Sequence, residues 1–378
     1  MGINKKSSLC FFSNTGVLPL SKISDISDYT ILSKIFSQTV RVLFCKKMAN
    51  VSLHRLIMVN KYSYFITTPN MNQVFSMSFF CCSFSRFFVT ALTGYGTKNG
   101  ISFLKNVEFN KMLNGAIVIS RETYFDTDLT RQEFSSGNCI CKCCRFIQCS
   151  GYKGGAIFSS AQELRLISCF FVKCTASKSG GGAYIEKYGY LERCYFTECR
   201  NNDDWGSSFI LCANCSVISS TVYKDSPFNI AFDFGGTESH GKHLNISHCV
   251  GTHCGGLANN NQNGGGSMIY INLVSCSGGR IFEFWSASPA NIQYVNVLSC
   301  YGSSAIFYSQ NCSPVLKDVR IVSCSGNHVS GSVSFTNLLY DQLIPMNLLS
   351  SYTCYQEYSI NVNTYQRHII IVAFALFL

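Results

Sequence analysis

Charge is scarce in this chain. Only 13% of its 378 residues are Asp, Glu, Lys or Arg, about half the share of an ordinary soluble domain. The polar surface therefore has to come from Ser, Asn, Thr and Gly. Proline is also rare, with 6 residues, so few positions forbid a paired strand. No Lys/Arg run exceeds two residues. A nucleic-acid reader needs a stronger basic stripe, so the net charge of +10 does not point to nucleic acid. Long apolar runs are missing as well. Leu9 to Phe12 is too short for the apolar centre of a secretory signal. Lys6 stands where a myristoylation motif requires Ser or Thr. The end of the chain, Ile369 to Leu378, is apolar but falls short of the ~17 residues that span a bilayer. It reads as a truncated span, a pairing strand or a buried cap, and leaves membrane attachment open as an expectation.

Glycine (29), cysteine (22), phenylalanine (30) and tyrosine (20) are plentiful. Gly supplies tight turns, and aromatics favour strands. One pattern recurs: an apolar residue, two variable ones, then Cys. It reads Phe146–Cys149, Phe171–Cys174, Phe196–Cys199, Ile246–Cys249, Leu273–Cys276, Val297–Cys300 and Ile321–Cys324, with Cys spacings of 25, 25, 50, 27, 24 and 24. Thr221–Lys224 fills the double gap, and Phe84–Phe87 and Phe109–Met112 look like degenerate copies. A second column lies two residues earlier: Cys144, Cys169, Cys194, Ser219, Leu244, Ile271, Val295 and Val319. A spacing of two places both columns on one face of a strand, and their small or apolar character turns that face inward. After each Cys comes a Gly-rich turn and another apolar stretch, as in Gly154 to Phe158, Gly181 to Ile185 and Gly278 to Phe282. A unit of about 25 residues cannot bury its own apolar face, but stacking on the next one closes a core. The fold expected is an all-β, right-handed parallel β-helix of about ten coils over residues 81–340. Residues 1–80 are expected to be an N-terminal cap or poorly defined coils, with a capping helix over 31–44. Residues 341–378 are expected to be a C-terminal cap or tail.

Gly154-Gly155-Ala156-Ile157 and Gly181-Gly182-Ala183-Tyr184 resemble the Gly-Gly-Ala-Ile repeat of the chlamydial polymorphic outer membrane proteins. In that family Phe-x-x-Asn accompanies it. Here Cys149, Cys174 and Cys199 replace the Asn, which is closer to Cys-bearing right-handed β-helix proteins of parasitic protists. The resemblance covers roughly residues 80–340 and is strongest over 139–200. It implies a pectin-lyase-like β-helix with a cell-surface or adhesion role.

The two columns, Cys144, Phe146, Cys149, Cys169, Phe171, Cys174, Cys194, Phe196, Cys199, Ile246, Cys249, Leu273, Cys276, Val297, Cys300, Ile321 and Cys324, are read as packing rather than as a metal or redox ladder, because Cys behaves as a small buried near-apolar residue. Cys139, Cys141 and Cys143 alternate as one strand face would, with Cys144 opposite, and lack the paired spacing of zinc knuckles. His240, His243, His248 and His253 are expected to face solvent. No metal, cofactor or catalytic residue is assigned. Asp203 and Asp204 are adjacent and face opposite sides, and Asp225 is aligned with Arg200 and Val250, so no column of acids forms. Loop insertions are expected over 121–137 and around Asn259 to Asn263. The sequons at Asn50, Asn214, Asn245 and Asn311 matter only if the protein is secreted. These readings favour a non-catalytic scaffold that binds protein or glycan; the competing reading is a pectin-lyase-like carbohydrate-active enzyme, which needs converging carboxylates.

Overall fold

A glycine-punctuated chain with a 25-residue period and inward-facing apolar columns has one economical solution, which is to stack each turn on the last. The computed structural model describes residues 43–44, 50–54, 57–61, 66–68, 76–88, 92–95, 101–120, 136–202, 207–211, 214–225, 230–285 and 291–340. Among these residues every regular element is a strand. The pairings that carry the register, from Met58–Phe84 to Ile321–Tyr340, are parallel. The protein is an all-β parallel β-solenoid with about 25 residues per turn. One turn shows the plan: Arg145–Ile147, Ser150–Lys153, Ile157–Ser159 and Ala161–Ile167, after which Phe170–Val172 stacks on Arg145–Ile147.

The parallel pairing begins upstream of residue 80. Leu43–Phe44 pairs with Ile66–Thr67, and Asn50–His54 pairs with Ser76–Phe80. Leu43 and Phe44 are thus strand rather than the end of a capping helix; residues 31–42 lie outside the described residues, as do 341–378.

One ladder of equivalent residues runs Met58, Phe84, Phe109, Phe146, Phe171, Phe196, Val222, Ile246, Leu273, Val297, Ile321 and Tyr340. Its aromatic part is a continuous stack. Ring centroids are 5.2 Å apart from Phe84 to Phe109 and from Phe109 to Phe146, then 4.7 Å and 4.5 Å on to Phe171 and Phe196. From Val222 to Ile321 the column is aliphatic. The ladder that runs through Ile157 and Ala183 continues through Phe209, Phe232, Leu257, Phe282 and Phe307, so aromatic residues become frequent there as they leave the first column.

A left-handed residue precedes each column position. Gln148, Lys173, Glu198, Lys224, His248, Ser275, Ser299 and Ser323 all have φ between 51° and 57°. This kink breaks the two-residue alternation, so Phe146 and Cys149 both face inward although they are three apart. It also corrects two expectations. Cys143 has φ 55°, so it leaves the face shared by Cys139 and Cys141 and is only half-buried, while Cys144 points inward and is fully buried. Across the double gap the register lies one residue later than the spacing suggests: Val222, not Thr221, continues the Phe column, and Asp225, not Lys224, takes the cysteine position.

Of the two expected insertions, the first is in place. From Ile117 to Asn138 the chain uses 21 residues where the next turn, from Ile157 to Glu163, uses six, so the extra length falls between Ser120 and Ser136. Most of that stretch lies outside the described residues. The second expected tip starts as paired strand: Asn259 to Asn261 pair with Phe234 to Gly236, and Asn259 is buried between Phe234 and Phe284. The turn absorbs its surplus residues as bulges, since the register offset grows from 24 at Ile230–Cys254 to 27 at Glu238–Gly265.

Candidate functional site

The cysteine columns explain themselves through hydrogen bonding. After each kink the thiol reaches two carbonyls, one two residues back and one on the preceding turn. Cys174 Sγ lies 3.7 Å from the Val172 carbonyl and 3.4 Å from that of Phe146. Cys300 Sγ lies 3.3 Å from Leu298 O and 3.5 Å from Leu273 O. The thiol also accepts, because the amides of Cys276 and Cys300 donate to the Sγ of Cys300 and Cys324 at 3.4 Å. Where Cys is missing, oxygen takes over. The Cys194 amide donates to Ser220 Oγ at 3.1 Å, and the Cys199 amide donates to Asp225 Oδ1 at 2.7 Å. Cys therefore supplies a small side chain that mends the ladder at a kink. All the cysteines among the described residues are free thiols. Of the cysteines in the two columns, only Cys324 is not buried. Burial pushes the thiols of Cys174, Cys194 and Cys199 well up. Cys300 is pushed up to about 12, chiefly by the Cys276 thiol beside it. Inert neutral thiols fit a packing role.

The chemistry lies on the outside of another wall. On Ser277–Trp285, Phe282 and Phe284 point inward and are fully buried, so Glu283 between them must point outward. It is nevertheless only 1% exposed. Arg280 Nη1 and Trp285 Nε1 both donate to Glu283 Oε1. His253, one turn earlier, places Nε2 at 3.1 Å from the same oxygen and at 2.8 Å from Arg280 Nη1. The Arg280 guanidinium lies 3.5 Å from the ring centroid of Tyr308, one turn later. Two successive turns thus converge on one carboxylate oxygen, and a third packs an aromatic ring against its arginine partner. The other, Oε2, is buried without a hydrogen-bond partner among the described residues. A buried carboxylate is costly unless a cation compensates it, and here Arg280 does so. Below Glu283 in the same outward column come Ala258 and then Asp233. Burial first, and then the charge of Glu283, pushes the neighbouring Cys254 thiol well up.

His253 is therefore part of a cluster rather than a free surface imidazole. His240 and His248 are exposed, and His243 stacks on Tyr270 at 4.8 Å. Asp225 is fully buried in the cysteine column, and Asp203 and Asp204 lie outside the described residues. Among the described residues no group of three or more His, Cys, Asp or Glu is arranged to hold a metal ion. The Glu283 cluster escaped sequence reasoning because its members are 27 and 30 residues apart and become neighbours only through the register. The available signal was Arg280 inside a Gly-Gly-Arg-Ile-Phe turn whose other copies carry Ala. The chain matches no family model, no curated protein and no solved structure.

Proposed function

We propose that this chain is a non-catalytic surface or scaffold protein whose β-solenoid presents a rigid outer wall for protein or glycan binding. The supporting observation is the Arg280–Glu283–His253–Trp285–Tyr308 cluster. Binding sites need polar groups fixed in advance beside aromatic surface. Here Arg280, Trp285 and His253 fix one buried carboxylate, and with it the half-exposed faces of His253, Arg280, Trp285 and Tyr308 that a ligand can reach. The resemblance of the Gly-Gly-Ala motifs to adhesion-type β-helices agrees with this reading, as would a cell-surface location. The test is a screen of the intact chain against glycan and protein arrays, repeated with Glu283→Gln and Trp285→Ala. A ligand lost in both variants, with unchanged melting, supports the proposal. Equal binding by all three proteins overturns it.

One observation favours the second reading, a carbohydrate-active enzyme: Asp233 and Glu283 share an outward column, with Arg280 and His253 alongside. Glycan turnover that disappears in Asp233→Asn or Glu283→Gln would establish it in place of the first.

A further inference from the structure

The left-handed kink that precedes the column of Cys149, Cys174 and Cys199 forms a corner of the solenoid, and its residues stack one per turn. In order they are Arg86, Lys111, Gln148, Lys173, Glu198, Lys224 and His248, followed by Ser275, Ser299 and Ser323. The equivalence is fixed by the register and by a repeated bond. The amides of Gln148, Lys173, Glu198, Lys224 and His248 donate to the carbonyls of Val172, Thr197, Tyr223, Ser247 and Val274 on the next turn, all within 3.1 Å. Arg86, Lys111, Gln148, Lys173, Lys224 and His248 are exposed, and Glu198 is half-exposed.

The fold does not demand these side chains. Left-handed backbone disfavours long side chains, and Ser275, Ser299 and Ser323 show that a short residue serves the same kink. Yet from Lys111 onward the row alternates: cation, neutral amide, cation, carboxylate, cation, imidazole. Lys173 and Glu198 sit 3.6 Å apart, both largely in solvent, a weak pairing that keeps the lysine head in line without neutralising the row. Lys224 rests against the Tyr223 ring, 5.1 Å from its centroid.

Rungs of a parallel ladder are about 4.8 Å apart, so Lys111, Lys173 and Lys224 recur every ~9.6 Å along the axis. One sugar ring advances an extended glycan by roughly one rung of that spacing, and a disaccharide by two. A nucleic-acid strand presents a phosphate about every 3.4 Å of duplex axis, which a row with a carboxylate between its cations does not match. We propose that the corner row Lys111–Gln148–Lys173–Glu198–Lys224 binds an extended acidic glycan that carries one carboxylate on every second sugar ring. The lysines meet the carboxylates, and Gln148 and Glu198 meet the hydroxyls of the intervening rings. This rests on the glycan-binding reading above but uses different residues.

The test is titration of the intact chain with three probes of matched length: a hyaluronan oligosaccharide (acid on alternate rings), an oligogalacturonate (acid on every ring) and a single-stranded oligonucleotide. Hyaluronan should bind best, and its affinity should fall with added salt. Lys111→Ala, Lys173→Ala and Lys224→Ala should each weaken it several-fold, with melting unchanged. The Gln148→Lys/Glu198→Lys double variant should shift preference towards oligogalacturonate. Equal or tighter binding of the oligonucleotide or oligogalacturonate by the unaltered chain overturns the proposal, as does hyaluronan binding indifferent to the lysines. Lys317→Ala, an exposed lysine outside both the corner row and the Glu283 cluster, should leave hyaluronan binding intact. Hyaluronan binding lost in Glu283→Gln but unaffected by the lysine variants would mean that the Glu283 cluster is the glycan site and the corner row is not.

Discussion

The stacked phenylalanines allow the solenoid to be tested by thermodynamic coupling. Phe146, Phe171 and Phe196 lie in one column with centroids 4.7 and 4.5 Å apart, so Phe171 touches both neighbours, whereas Phe146 and Phe196 are two rungs apart. Truncating a buried Phe to Ala costs about 3–5 kcal/mol. Phe→Leu keeps most of the volume and should cost ~1–3 kcal/mol by the same cavity reasoning. Stacked aromatic pairs carry about 0.5–1.5 kcal/mol beyond their buried area. A double-mutant cycle between Phe146→Leu and Phe171→Leu should therefore show coupling of that size, and so should Phe171 with Phe196. The cycle between Phe146 and Phe196 should be additive within roughly 0.3–0.5 kcal/mol, as expected for sites that do not touch. Urea unfolding of the seven proteins, followed by far-UV circular dichroism, gives the cycles. Coupling between Phe146 and Phe196 as large as between adjacent rings would refute nearest-neighbour stacking. So would a Phe171→Leu cost below about 0.5 kcal/mol, which is too small for a filled column.

Alkaline pH should unfold the protein cooperatively. The buried thiols of Cys174, Cys194, Cys199, Cys254 and Cys276 have folded pKa values raised above the ordinary ~8.5, and those of Cys215 and Cys300 are raised to about 12. Their contribution is whole below pH ~8.5 and is lost as pH rises towards 12, at about 1.4 kcal/mol per thiol per pH unit; melting temperatures flat from pH 9 to 11 would contradict this. Asp225→Leu leaves the buried Cys199 amide without its acceptor and should cost ~1–3 kcal/mol, whereas Asp225→Cys restores the column and should be neutral or stabilising, as denaturant midpoints will show. Gly154 has φ +66°, and an added Cβ would meet the Ile157 carbonyl oxygen at 1.9 Å. Gly154→Ala should therefore lose at least ~1 kcal/mol, seen as a lowered melting temperature. Thiol titration of the native chain should proceed slowly at Cys174 and Cys199 and fast at exposed Cys81, with every thiol released on denaturation.

The period, the parallel pairing and the inward columns were legible because each turn repeats the same apolar spacing. Phe146, Cys149 and their equivalents declare themselves without any contact information. The one-residue error at Val222 and Asp225 arose where the cysteine was absent. There only the kink marks the register, and a kink at Lys224 leaves no compositional trace. The buried run through Asn259 was mistaken for a loop because Asn and Gly usually mark turns; here a ladder of stacked neighbours overrode that preference. The same principle appears at Asn245, Asn272 and Asn296, whose side-chain amides bond in series at 2.8 and 3.1 Å. The Glu283 cluster could not be read because a neighbour one turn away is invisible until the offset between turns is known to the residue.

The change from phenylalanine to aliphatic residues along one column makes the coils of this protein unequal as spare parts. A turn copied or deleted among those that hold Phe109 to Phe196 would meet neighbours filled in the same manner, and the join would close. A coil from beyond Val222 grafted among them would interrupt the ring stack with an aliphatic rung and leave its neighbours with a gap. Growth or loss of whole coils during descent is thus easy within either segment and obstructed at the seam between them.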